Sequence, residues 1–277
     1  MGALLGLASA VCYGLADFAG GLLSRRASFI AIALTGQAGG FVLTLAAAPA
    51  IPAGGLAASD IAWGALSGVG TGLAMMFLYR GLSRGDMSVV VPVSAVGGVA
   101  LPVLAGVAFL GNRPPALSWL GIALAVPGLW LVSRTRTRGP GRRAAALDGM
   151  LAGAGIALQY IALARASPGA GIWPVVAGRL TAVMAILLIA RPGMPRLRLP
   201  LRVTLAAALN GGVAALALVC YLLAAREQIL VVAVVLSSLY PAIPVLLGVT
   251  ALRERLSRRQ VLGLTGAAAA IGLLTRP

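Results

Sequence analysis

The chain has 277 residues, of which 60% are hydrophobic and 10% charged, with a mean hydropathy of +0.99. A soluble domain carries about 25% charged residues, so this chain has too few charges to face water and its surroundings are lipid. The net charge of +16 rests on 22 arginines; they fall between long apolar runs rather than on one basic face, which excludes nucleic-acid binding.

A helix needs about 20 apolar residues to cross the hydrocarbon core. Runs of that kind fall at 2–23, 29–48, 61–81, 88–110, 117–133, 148–166, 171–190, 203–225, 229–250 and 259–275. The expected fold class is therefore an all-α membrane protein with ten transmembrane helices. No basic region precedes the first run, so it reads as a retained span and not as a cleavable signal. It carries Tyr13 and also Asp17, the one acid well inside a span. A carboxylate in lipid costs several kcal/mol unless it is paired or protonated. Asp17 is thus either a structural hydrogen-bonding group or a site for proton coupling or for a substrate amine.

The second span carries Gln37. The third carries Gly64, Gly68 and Gly72, a small-xxx-small face on which helix backbones approach closely. Pro102 lies inside the fourth, where a proline removes one backbone hydrogen bond. The segment 134-RTRTRGPGRR-143 reads as a basic linker, extended to 134–146 between two units at 1–133 and 147–277. The sixth span carries Gln159 and Tyr160, the eighth Asn210, and the ninth Ser237, Ser238, Tyr240, Pro241 and Pro244. These polar residues are either interhelical hydrogen-bonding partners, at about 0.6 kcal/mol each, or together the polar lining of a pocket. The prolines are either packing kinks or breaks that free backbone groups for a substrate.

The seventh run, 171-GIWPVVAGRLTAVMAILLIA-190, has Arg179 near its middle. A cation there costs roughly 2.5 to more than 10 kcal/mol. It lies too deep to snorkel to a surface, and arginine does not shed its proton. Arg179 must face a partner or water. One reading pairs it with Asp17. The other has it line a central cavity and take an anionic group, such as a carboxylate, in a bidentate fork.

Loops after odd-numbered spans hold 17 arginines and those on the other side 4. The positive-inside rule puts the first set in the cytoplasm and both termini outside. Trp63, Trp119, Trp130 and Trp173 fall near span ends, as interfacial anchors do.

Shifted by 142, the chain overlays itself. Tyr79–Arg134 aligns on Tyr221–Arg276 without a gap, with 18 of 56 positions identical, where composition alone gives roughly six; similarity on that scale marks a repeat. Pro102 falls on Pro244, and Gln37 falls opposite Arg179. Each unit has five spans, so the second enters the membrane inverted, a signature of secondary transporters with a site near the midplane between units that rock.

The segments 13-YGLADFAGGLLSRR-26, 79-YRGLSRGDMSVVVPV-93 and 236-LSSLYPAIPVLLGVTALRERLSRRQVLGLTG-266 resemble the drug/metabolite transporter superfamily, EamA-type. The turn of the first unit departs from the pattern, with Asn112 where the second unit has Glu254. The resemblance implies export or exchange of a small metabolite or drug across a bacterial plasma membrane. The alternatives are a flippase for a lipid-linked intermediate and a non-transporting accessory protein. Enzyme chemistry finds no support: histidine is absent, and no cysteine pair or carboxylate pair has suitable spacing. The expectation is a carrier without cofactor or metal, whose partners are a small-molecule substrate, membrane lipid and a coupling proton.

Overall fold

The structure is a computed structural model that describes residues 2–110, 119–120, 123–124, 127, 131, 140–163, 165–190, 197–227, 240–253 and 256–274. Its helices are α1 (Gly2–Arg26), α2 (Phe29–Ala47), α3 (Ala58–Arg84), α4 (Met87–Leu110), α5 (Pro140–Leu163), α6 (Trp173–Ala190), α7 (Leu201–Glu227), α8 (Ala242–Thr250) and α9 (Arg258–Leu274). Short 3-10 turns cover Ala48–Ala50 and Pro168–Ala170. Among the described residues there is no strand. Six helices (α1, α2, α3, α5, α6 and α7) are long and apolar enough to cross a membrane, and the Met87–Gly98 part of α4 is a shorter apolar helix. The chain is a multi-pass membrane protein.

Most helices start within a few residues of the runs read from sequence. Two differ. The α5 helix begins at Pro140, inside the segment expected to be linker. A proline in a first helical turn loses no bond, because its N–H would be unpaired anyway. The alanines that follow have a surface to cover: Ala145 and Ala146 are buried, and a Cβ on Gly85 would stand 2.6 Å from the Ala145 side chain. The α8 helix begins at Ala242, capped by Pro241, where a run from 229 was expected. A turn at Tyr240 precedes it, and Pro244 lies buried in its first turn. Residues 228–239, with Ser237 and Ser238, lie outside the described residues, as do most of 117–133, Asn112 and Glu254. On α4 the helix runs through Pro102 to Leu110.

The two sequence halves interlock. The α3 helix packs on α5 and α6, while α7 packs on α1 and α2, and α2 crosses α6. Small residues set these crossings. Along α3, Gly64, Gly68 and Gly72 meet Pro174, Gly178 and Ala182 of α6; a Cβ on Gly68 would collide with the Gly178 carbonyl and the Thr181 hydroxyl. The Thr181 hydroxyl donates to the Ala65 carbonyl at 2.8 Å across the seam. Along α2, a Cβ on Gly39 would stand 2.7 Å from Ala208 Cα of α7, and Gly36 faces Gly211. Lipid offers no hydrophobic force between helices, so this close backbone approach and its dispersion contacts hold them together.

Polar pins tie α3 to α5 at one end and to the turn after α5 at the other. At one end, Asp60 accepts from the Ser167 amide at 2.7 Å, the Ser167 hydroxyl at 3.0 Å and the Ala57 amide at 3.0 Å. At the other, Arg80 donates through Nε and Nη2 to Asp148 Oδ1 at 2.9 and 2.6 Å, with Arg84 3.9 Å from Oδ2. Arg25 of α1 donates to the Leu82 and Gly85 carbonyls beside that end.

Candidate functional site

Arg179 projects from the second turn of α6 and is 4% exposed. It passes beside Gly40, where a Cβ would stand 3.5 Å from Arg179 Cδ, an ordinary contact. The guanidinium donates through Nη1 to Gln37 Oε1 at 2.9 Å and through Nη2 to the Ala214 carbonyl at 3.1 Å. Nε is buried and has no hydrogen-bond partner among the described residues. Arg179 therefore rests on a neutral amide of α2 and a backbone carbonyl of α7, and it forms no ion pair with Asp17. The expectation of a simple structural pair with Asp17 is not what the fold builds. Instead, the partner is the residue that the 142-residue shift sets opposite it. An arginine carries five N–H donors in a fork, two of which are engaged here, and its charge is not neutralised locally.

Asp17 lies two-thirds of the way along α1 and is buried. One turn further on, Gly20 gives room to Tyr79: a Cβ there would meet the Tyr79 ring. The Tyr79 hydroxyl accepts from Asn210 Nδ2 of α7 at 3.1 Å. Gln159 of α5 accepts from the Thr71 hydroxyl of α3 at 2.9 Å. Tyr13 of α1 and Tyr240 approach with ring centroids 6.1 Å apart and planes tilted by 56°. Tyr160 of α5 and Tyr221 of α7 do the same at 6.0 Å and 58°. The Tyr13 hydroxyl is buried beside Gln159 without a well-aligned hydrogen bond. Tyr13 and Tyr79 both lie within electrostatic reach of Arg179, and Asp17 within that of Tyr79, Tyr240 and Tyr160.

The fold thus gathers Arg179, Gln37, Asp17, Tyr13, Gln159, Tyr160, Asn210 and Tyr240 into the bundle interior, from five helices and the turn before α8. The side chain of Pro102 and all of Ser237 lie outside the described residues, and Pro241 and Pro244 frame the start of α8. Sequence reasoning passed over Thr71, Tyr79 and Tyr221. A signal for the two tyrosines was present, since they form a matched pair of the internal repeat. Thr71 carried none, as a threonine on an apolar helix ordinarily bonds back to its own turn; this one also bonds to the Ser67 carbonyl.

Comparison with known proteins bears on the family likeness and the fold. Residues 1–134 match the EamA-like transporter family, ending one residue past the first expected unit. A relative from Sinorhizobium sp, described as an uncharacterized transporter in the cobO 3' region, is 35% identical over 69 residues. That match takes in 25% of this chain and 48% of the relative, so it spans about half of the relative's length. A solved structure, described only as a crystal structure of a protein, superposes on 100% of this chain and 99% of its own with a TM-score of 0.61. At 19% identity it speaks for the fold alone. Over residues 1–134 the chain is similar to the EamA-like transporter family.

Proposed function

We propose that the chain is a secondary active transporter, an exporter or exchanger of a small anionic metabolite across the plasma membrane of a bacterium. Two inverted five-helix units, 1–133 and 147–277, give alternating access to a site at their contact, with both termini outside. The family match over the first half supports transport, and the single observation that carries the anion is Arg179. A buried cation with an unpartnered Nε–H and no carboxylate beside it is an incomplete site. A carboxylate on the substrate supplies both the missing charge and the missing acceptor. Gln37 and the Ala214 carbonyl fix the guanidinium plane, so little orientation entropy is lost on binding. Asp17, buried and separate from Arg179, is the group that carries a coupling proton.

The test is Arg179→Lys in proteoliposomes, after a screen of metabolites for uptake and efflux with and without a pH gradient. Lysine keeps the charge and loses the fork. Affinity should fall about tenfold to a hundredfold, equivalent to ~1.5–3 kcal/mol for charge-assisted bonds, with membrane insertion unchanged. Undiminished affinity rejects the guanidinium as the substrate's partner.

A further inference from the structure

The chain has five tyrosines and four tryptophans. In a bilayer both ring types favour the headgroup level. The described tryptophans follow that preference: Trp63 and Trp119 are exposed, and Trp173 opens α6. The tyrosines do not. Tyr13, Tyr160, Tyr221 and Tyr240, from α1, α5, α7 and the turn before α8, meet inside the bundle, and Tyr79 of α3 is buried against Asn210. Packing alone does not ask for this. Phenylalanine or leucine fills such space without a hydroxyl, which costs free energy to bury unless it is hydrogen-bonded. Tyr79 has Asn210 for that purpose, whereas the Tyr13 hydroxyl lies beside Gln159 without a well-aligned hydrogen bond. Four of the five, all but Tyr79, are half-buried. Neither ring pair stacks face to face, which leaves ring faces uncovered by their own partner.

We infer that this tyrosine group and Arg179 form one binding site whose ligand is a planar aromatic carboxylate, the rings holding the flat body and the guanidinium holding the acid. The inference rests on the anion reading of Arg179 and adds the body of the ligand to it. Ring-to-ring contact favours a flat aromatic body over a puckered aliphatic one of equal size, through edge-to-face and offset contacts that a saturated ring does not make.

The test is binding to the purified full-length protein by calorimetry with three probes: benzoate, cyclohexanecarboxylate and benzamide. The two acids match in charge and size and differ in the ring, and benzamide keeps the ring without the charge. Benzoate should bind at least about five-fold tighter than cyclohexanecarboxylate, with benzamide weaker than benzoate. The double substitution Tyr13→Leu and Tyr240→Leu should bring the two acids level without weakening cyclohexanecarboxylate. Tyr13→Phe with Tyr240→Phe should keep the preference, which separates ring contact from folding. If the two acids bind wild type equally while Arg179→Lys weakens both, the aromatic inference falls and the anion reading stands. Benzamide binding as tightly as benzoate, or no binding of either acid, overturns both.

Discussion

The cation in the middle of α6 is held by two neutral groups. Gln37 accepts at 2.9 Å and the Ala214 carbonyl at 3.1 Å. Neither cancels the charge, and a residue committed to structure alone is ordinarily matched by a carboxylate. Asp17, the one acid well inside a span, forms no ion pair with Arg179. If it carries the coupling proton, Asp17→Asn should cut pH-gradient-driven uptake roughly tenfold or more while substrate exchange proceeds. Uptake that still follows the gradient in a well-folded Asp17→Asn protein rules the coupling role out. Part of this arrangement was legible beforehand. The shift of 142 set Gln37 opposite Arg179, but a sequence alignment does not say which matched residues touch, and the 2.9 Å hydrogen bond between these two was not legible. Tyr79 escaped notice for a plainer reason: it lies five residues from the end of α3, where a tyrosine reads as an interfacial anchor.

Among the helices, glycine fixes separation. The α3–α6 crossing has Gly64, Gly68 and Gly72 on one side and Gly178 on the other, and α6 is the helix that presents Arg179. Gly68→Val forces carbon into the Gly178 backbone. Overpacking of that kind costs about 1–3 kcal/mol, more where backbone must shift, and it displaces Arg179 from Gln37. Thermal denaturation in detergent should show a clear fall in Tm for Gly68→Val. Gly54→Ala, with nothing within 4 Å of the added carbon, should stay within about 0.5 kcal/mol of the parent. Equal effects at the two sites would show that the crossing is not set by close approach. Helix limits were readable because bilayer thickness sets the length of an apolar run. The early start of α5 was not, because Arg142 and Arg143 interrupt hydropathy without interrupting a helix. The late start of α8 was hidden in the same way, since Pro241 sits within an unbroken apolar sequence.

For the molecule in its membrane, the arginine distribution makes the strongest statement. Counted over the ten runs read from sequence, 17 arginines fall on one side and 4 on the other, so reporter fusions at Pro277 should report outside and fusions within 134–139 cytoplasm. A cytoplasmic signal at Pro277 reverses the orientation while leaving the helix packing as described. That orientation puts Asp60 and Ser167 at the outer surface and Arg80 and Asp148 at the inner one.

The pins between α3 and α5 then have a mechanical meaning. The two helices come from the two units expected from sequence, yet α3 is fastened to α5 by Arg80 to Asp148 and by Thr71 to Gln159, and to the turn after α5 by Asp60 to Ser167. A pair joined at three heights behaves as one beam, which neither slides nor opens without breaking several buried polar contacts together. If the proposed alternating access holds, the motion must carry α3 and α5 as one body and bend elsewhere, and the boundary expected at 134–146 would not divide the moving parts. A disulfide between Asp60→Cys and Ser167→Cys, with Cys12 and Cys220 replaced by serine, should therefore form and leave transport close to that of the reduced protein. Transport that stops on oxidation and returns on reduction would mean that the beam opens in the cycle.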